Sequence, residues 1–420
     1  MHCEKVLAFL EKHHMSPYAI QPARDAVRMA AEMEEGLAGR KSSLMMIPTY
    51  LSDGGELPKH RPVAVIDAGG TNFRCGLVSF EEGGYHVEPL NKWKMPGIEK
   101  PVSWQEFIDF TANKVAPLLE KTDLIGFCFS YSADITPEMD GKVRQIDKEV
   151  VINGCEGKLV GASLIAELER RGIYGKKIVI LNDTVAVLLG GLAQHGRANG
   201  GLIGQVSGTG TNTCCALPEN RILKLGRSGR RRMIVNLESG MYDGIPLGDF
   251  DRELDAASHN PGQKHFEKLT AGVYLGELCH RMLRAAAQEG LLNPESAEKV
   301  MALGWIDSAV IDAWAMGEKL SEICSGEEDG QFVQTLCKAM FERSARCMCT
   351  NLAAILLLTG DESAGICAEG SLVQKGRVYR PLLEKLIADE IGGKLGRRAI
   401  LQIGDESTLA GSAAAALLNL

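Results

Sequence analysis

The sequence predicts an α/β protein built from two related domains that face each other. Short apolar runs with strand character alternate with longer helical stretches. A glycine-rich segment also recurs. Asp67-Ala68-Gly69-Gly70-Thr71-Asn72-Phe73-Arg74-Cys75-Gly76-Leu77 aligns with Ser207-Gly208-Thr209-Gly210-Thr211-Asn212-Thr213-Cys214-Cys215-Ala216-Leu217. Gly70, Thr71, Asn72, Cys75 and Leu77 reappear as Gly210, Thr211, Asn212, Cys215 and Leu217. Both copies follow a buried-strand run and precede a strand and a turn. The period is too long for a solenoid, so it points to a duplicated domain.

The elements follow in order. The first fifty residues read as helix, strongest over 28–37, until Pro48 and the 52–55 Ser-Asp-Gly-Gly cluster break the chain. Apolar strands are predicted at 62–66 and 73–80. A hairpin turn at 81–84 then returns the chain at Tyr85. Residues 104–121 read as helix, and 123–130 and 178–181 as buried strands. Long helical stretches fill much of 262–358.

A chain of 420 residues suggests two or three domains and ample core. The formal net charge of −8 argues against wholesale binding to nucleic-acid phosphates. No apolar run approaches the roughly 18 residues of a membrane span. The 1–14 segment has too short an apolar stretch between charged flanks for a signal peptide. Twelve cysteines without a C-x-x-C pair read as reduced thiols. The expectation is a cytoplasmic protein without nucleic-acid or membrane partners. The basic 227–232 segment reads as a solvated loop, and the histidines show no metal spacing.

A strand ending in a glycine-rich turn lets backbone N–H groups approach a phosphate closely. Two such turns face to face can grip one polyphosphate. Asp67, at the end of the first strand, can hold Mg²⁺ through water, and Arg74 can reach phosphate oxygens. Neither turn matches a Walker A loop or G-x-G-x-x-G, and a structural hairpin fits each turn equally well. The 178–181 strand ends abruptly at Asn182-Asp183, where open α/β sheets bind ligands. Asp183 there suits a general base or a helix cap. Glu238 and Glu267 can accept hydrogen bonds from polyol hydroxyls. From the residues alone, Glu267 reads more readily as a solvated helix residue.

Taken in order, these motifs resemble the eukaryotic-type hexokinases over most of the chain. The resemblance begins at Ala31-Glu32-Met33-Glu34-Glu35-Gly36-Leu37 and Met46-Ile47-Pro48-Thr49-Tyr50. It continues through the 67–74 turn, Gly126-Phe127-Cys128-Phe129-Ser130-Tyr131, Asn182-Asp183-Thr184-Val185 and Gly208-Thr209-Gly210-Thr211-Asn212. Asp251-Arg252-Glu253-Leu254-Asp255, Asn260-Pro261-Gly262-Gln263, Tyr274-Leu275-Gly276-Glu277-Leu278, Glu369-Gly370-Ser371-Leu372 and 405–414 complete it. It implies an actin-like ATPase (ribonuclease H-like) fold of two lobes with a cleft between them. The small domain would span 61–183 plus 406–420, and the large one 1–60 plus 184–405.

The resemblance also implies transfer of the γ-phosphoryl group of ATP to the 6-hydroxyl of a hexose, with glucose foremost and Mg²⁺ as cofactor. Asp183 matches the family's base, with Lys148 and Arg74 beside the transferring phosphoryl. Ser130, Asp147, Lys148, Asn182, Asn212, Glu238 and Glu267 match sugar positions. Asp67, Gly69, Gly70, Thr71, Asn72, Arg74, Gly208, Thr209, Gly370, Ser371 and Gly411 match nucleotide and metal positions. The departures lie on the sugar side. Asp147 replaces a threonine, Ser132 a proline, Lys264 a glutamine and Ser239 a tryptophan. They leave room for a kinase of another sugar or amino sugar, for a sugar-binding regulator, or for an actin-like or chaperone-like ATPase.

Overall fold

The computed structural model describes residues 2–146, 150–404 and 406–420. Asp147 and Lys148 lie outside the described residues. Two sheets form the frame. In the first, β1 (Val63–Gly69), β2 (Asn72–Glu81) and β3 (Gly84–Lys94) make an antiparallel meander. β4 (Leu124–Phe129) then runs parallel to β1, and β5 (Lys177–Leu181) parallel to β4. The spatial order is β5-β4-β1-β2-β3.

The next element is helix α1 (Asp183–His195). After it the same plan repeats. β6 (Gly201–Ser207), β7 (Thr211–Pro218) and β8 (Arg232–Asn236) form a second antiparallel meander. Helices follow, among them His265–Thr270, α2 (Gly272–Gln288) and the 33-residue α3 (Glu327–Thr359). β9 (Ser363–Glu369) then pairs parallel to β6, and β10 (Arg398–Ile403) parallel to β9. Helix α4 (Ser407–Asn419) closes the chain. A two-residue strand, Ile47–Pro48, extends this sheet beyond β8. The duplication read from the two glycine turns is thus a duplication of topology, with α1 and α4 as equivalent helices.

Local chemistry explains the elements. β4 reads Leu-Ile-Gly-Phe-Cys-Phe and is buried along its whole length, as a parallel strand covered on both faces requires. β3 is mostly exposed and carries lysines, which suits an unpaired edge. The predicted 104–121 helix is α-helical only over Trp104–Val115. Pro117 lacks an N–H to continue the ladder, and a 3₁₀ stretch, Ala116–Glu120, finishes it. Between β4 and β5 lie a hairpin, Ser132–Ile135 with Gly141–Gln145, and a helix, Val160–Arg170, that the patterning did not reveal.

The sheets meet through α1 and α4, which cross in close contact between them. A Cβ on Gly190 would lie 2.3 Å from the Ser407 carbonyl oxygen, and one on Gly411 would lie 1.8 Å from that of Ala186. α4 in turn lies flush on the first sheet, where a Cβ on Gly126 would sit 2.0 Å from the Ser412 carbonyl oxygen. α1 lies as close to the second sheet, where a Cβ on Gly204 would sit 2.5 Å from the Thr184 carbonyl oxygen. Glycine hydrogens alone fit these gaps. At the far ends of both helices, buried Asp53 pairs with Arg197 at 2.6 Å and Arg232 at 3.5 Å. Beside it the Ser52 N–H donates to Asn419 Oδ1. The segment joining the two sheets is thereby tied to both helix ends.

The eleven cysteines from Cys75 to Cys367 are free thiols, and of these only Cys155 is not buried. No described helix is long and apolar enough to cross a membrane.

The helix crossing is testable. Gly411→Ala gains about 1 kcal/mol of helix propensity. It also drives a methyl group into a backbone carbonyl, and overpacking of this kind costs about 1–3 kcal/mol or more. The clash is expected to win, lowering the urea midpoint; an unchanged or higher midpoint would refute the close crossing.

Candidate active site

Strand register gathers the first set of residues. Asp67 on β1 lies opposite Cys128 on β4, and Cys128 opposite Leu181 on β5. Asp183, two residues further, therefore stands just past the carboxyl ends of the same row. Asn182 caps α1, its side chain accepting the Thr184 N–H. Asp183 is the first helical residue, at the positive end of the helix. Its Oδ1 accepts from Thr184 N at 2.7 Å and Thr184 Oγ1 at 3.2 Å. Asn182 and Asp183 thus share the Thr184 N–H, and both Thr184 contacts to Asp183 fall on one carboxylate oxygen, Oδ1.

Beside it is the first glycine turn. Gly70 has φ +56°, and a Cβ on Gly69 would lie 2.8 Å from Ser130 Oγ. Arg74 is paired with Asp67 across β1 and β2, donating from Nε at 3.0 Å and Nη2 at 2.5 Å to Oδ2. Nη2 also donates to Thr408 Oγ1 at 3.1 Å, and Nη1 lies 3.7 Å from Glu406. Burial works against the Arg74 charge, and Asp67 and Glu406 more than reverse this, so its pKa is raised. Arg74 therefore links the turn to the start of α4.

The second turn is built at the ends of β6 and β9, whose register puts Val206 opposite Glu369. A Cβ on Gly370, at φ +117°, would lie 2.4 Å from the Ser207 carbonyl oxygen. The Gly272 N–H at the start of α2 donates to Gly208 O at 2.8 Å. Gly208, Thr209 and Ser371 line one open cleft. Gly411, expected among the nucleotide contacts, lies elsewhere. It is buried at the α1–α4 crossing, where its missing side chain serves packing.

The third set is a polar wall from the second sheet. The Asn212 amide donates to Asn236 Oδ1 at 2.8 Å and to Glu238 Oε1 at 3.4 Å. The Asn236 amide donates to the same Glu238 oxygen at 2.8 Å. Glu267 Oε2 accepts from Thr211 N at 3.3 Å, and Lys264 Nζ lies 3.7 Å from Glu267 Oε1. Glu267 is thus built into the wall rather than solvated. Glu238 and Lys264 both adopt left-handed backbone, φ 55° and 52°. Such conformations cost energy in non-glycine residues and concentrate at functional sites. Asn182 from the first sheet and Asn236 and Glu238 from the second line one small cavity, with apolar residues such as Ile47 and Ile180 behind them.

Burial raises the pKa of Glu238. The Asn236 hydrogen bond opposes this, the charges of Asp183 and Glu267 add to it, and Lys264 offsets part. Sequence reasoning missed Asn236, although it ends a buried strand in the same way that Asn182 follows one. It did not single out Thr408 and Glu406 within the 405–414 segment, because their bond and ion pair to Arg74 cross between distant parts of the chain.

One family model for hexokinase matches residues 202–418, and a second matches 6–192. The chain belongs to the hexokinase family. Its reaction class is ATP-dependent phosphorylation of a hexose. Hexokinase-1 of Schizosaccharomyces pombe is 26% identical, aligned over 93% of this chain and 86% of its own length. Hexokinase-2, chloroplastic, of Nicotiana tabacum is 27% identical over 99% and 90%. The hexokinase from Schistosoma mansoni complexed with glucose superposes with a TM-score of 0.79 at 22% identity, covering 99% of this chain and 98% of that one. The fold is the actin-like ATPase fold that hexokinases share.

The raised pKa of Glu238 has a stability consequence. A carboxyl group that holds its proton more tightly folded than unfolded makes the native state bind more protons. Stability then falls as pH rises from the unfolded value, about 4.3, through the folded one. Glu238→Gln, without sugar, is expected to raise the melting temperature at pH 7 to 8, with the gain vanishing below about pH 4. A melting temperature unchanged at neutral pH would refute the strained, desolvated carboxylate.

Proposed function

We propose that this hexokinase transfers the γ-phosphoryl group of ATP to the 6-hydroxyl of glucose, with Asp183 as general base. The observation that carries this reading is the meeting of Asn182 and Asp183, past the ends of the first sheet, with the Asn212–Asn236–Glu238–Glu267 wall of the second. Carboxylates and amides in that wall suit neutral hydroxyls. Asp183, with one oxygen held by Thr184, is placed to take the proton of the reacting hydroxyl. A glucose complex of a relative with the same fold supports glucose as the sugar.

The two glycine turns are read as the phosphate grip, with Gly69, Gly70, Thr71 and Asn72 on one side and Gly208 and Thr209 on the other. Gly370 and Ser371 hold the nucleotide beyond them. Asp67 fits a Mg²⁺ that arrives with the nucleotide. Its Oδ2 is engaged by Arg74, while Oδ1 has no hydrogen bond among the described residues, the donor set of a metal held mainly through water and phosphate. Bound Mg²⁺ would neutralise charge on the transferring phosphoryl group. Phosphoryl transfer needs positioning and charge stabilisation more than covalent help, and turns, helix start and arginine supply those. Asp147 and Lys148 are assigned to the sugar and phosphoryl positions by motif alone.

We further propose lobes of 61–183 plus 406–420 and of 1–60 plus 184–405, closing on the sugar to exclude water. A second reading, a kinase for another hexose or amino sugar, draws on Lys264. Its ammonium sits beside Glu267, where a neutral donor would leave the carboxylate fully negative.

Asp183→Ala is expected to lower kcat by about 10²–10⁴-fold or more, with glucose affinity by calorimetry largely retained. Near-wild-type turnover in a coupled ADP-release assay would sink the assignment. Wild-type turnover is expected with glucose; a response to glucosamine or mannose alone would transfer the reading to the Lys264 alternative.

A further inference from the structure

The cleft beside the second glycine turn has an aromatic wall that the reaction class leaves unexplained. Trp305 is 70% exposed, and the neighbouring Val273 is 40% exposed. Both line the cleft with Gly208 and Thr209. A large aromatic face left in water is a cost unless something covers it.

The segment carrying this ring is firmly seated. Residues 302–307 connect the helices Pro294–Met301 and Ser308–Ala315. Ile306, next to Trp305, is only 4% exposed. A Cβ on Gly276 would lie 1.8 Å from the Ile306 carbonyl oxygen, so the segment's backbone lies directly on α2. Asp307 caps the following helix, accepting the Ala309 N–H at 2.7 Å. The backbone just after the exposed indole is therefore fixed, and among the described residues no other ring stacks on it.

The ring also shares its cleft with the second glycine turn. Gly272 joins the two features. Its N–H donates to Gly208 O, and a Cβ on it would lie 3.2 Å from Ser308 Oγ. The wall thus runs from the phosphate turn, over the first residue of α2, to the 305–308 segment.

We propose that Trp305 is the stacking platform for the base of the phosphoryl donor, with Val273 completing its apolar face. This rests on the kinase reading and deepens it. The donor is recognised as a nucleoside triphosphate, by its aromatic base as well as its phosphates, so bare polyphosphate is a poor substitute. Every base has a π-face, so the platform supplies affinity without choosing strongly among bases.

The experiment compares wild type, Trp305→Ala and Trp305→Phe. Trp305→Ala is expected to raise KM for ATP roughly 5- to 100-fold, with kcat and the hexose KM within about twofold of wild type. Trp305→Phe, which keeps a ring, is expected to stay near wild type. In a separate titration without sugar, ADP is expected to quench indole fluorescence in wild type and to lose that quench in Trp305→Phe; inorganic tripolyphosphate is expected to cause no quench. An unchanged KM for ATP in Trp305→Ala, or an ADP quench retained in Trp305→Phe, overturns the platform. The two proposals fail separately. Glucose turnover with an unaltered ATP KM in Trp305→Ala removes the platform alone. Absence of hexose turnover, with an ADP quench that depends on Trp305, removes the sugar-kinase reading alone.

Discussion

The crossing of the two equivalent helices is the constraint on which the rest of the molecule depends. α1 follows β5 and α4 follows β10, so each leaves the carboxyl end of its own sheet. Each helix nevertheless lies between the two sheets and touches both its partner helix and a sheet. That is possible only because Gly190, Gly411, Gly126 and Gly204 present hydrogens to backbone carbonyls. A side chain at any of them would push the layers apart. The separation of the sheets decides whether Asp183, on the first residue of α1, can face Glu238, which extends from β8. A packing requirement deep in the core therefore sets the dimensions of the site at the surface.

The site itself holds its acids at a cost. Glu238 is desolvated, faces Asp183 and Glu267, and sits in left-handed backbone. Asn212 and Asn236 both donate to one of its oxygens. Lys264, also in left-handed backbone, supplies the compensating charge. An unliganded wall of this kind is satisfied best when neutral hydroxyls donate to it, which is the physical sense in which it suits a sugar. Arg74 plays a comparable part on the phosphate side. Asp67, Glu406 and Thr408 surround it, so the guanidinium proposed to meet phosphate also ties the first turn to α4.

Much of this was legible in residue order, and the limits of legibility have physical causes. The buried strands, both glycine turns and the duplication appear as local composition, because parallel strands must be apolar on both faces and tight turns need glycine. Asn182 and Asp183 stood out because they end an apolar run abruptly, Asn212 because it recurs with Asn72 in the glycine repeat, and Glu238 as an acid suited to polyol hydroxyls. Asn236 obeyed the same rule and was overlooked. The hairpin and helix between β4 and β5 escaped because their mixed, partly exposed residues give no clear period. Gly411 was read with its neighbours as a nucleotide contact. Its backbone faces Ala186 instead, and no linear motif distinguishes a glycine that spares room for a ligand from one that spares room for a helix.

The sequence by itself determined the fold class, the doubled plan and the kinds of group available for chemistry, since these follow from periodicity and from residues whose function depends on type. Tertiary structure alone decided which of those groups meet. Asn182 and Glu238 are far apart in the chain and line one cavity because two sheets are pressed together through glycines. Glu267, a solvated helix residue by its local sequence and a sugar position by the family resemblance, is part of the wall because the Thr211 N–H donates to it. Trp305 carried no signal at all, for an exposed aromatic ring acquires meaning only from the cleft it faces.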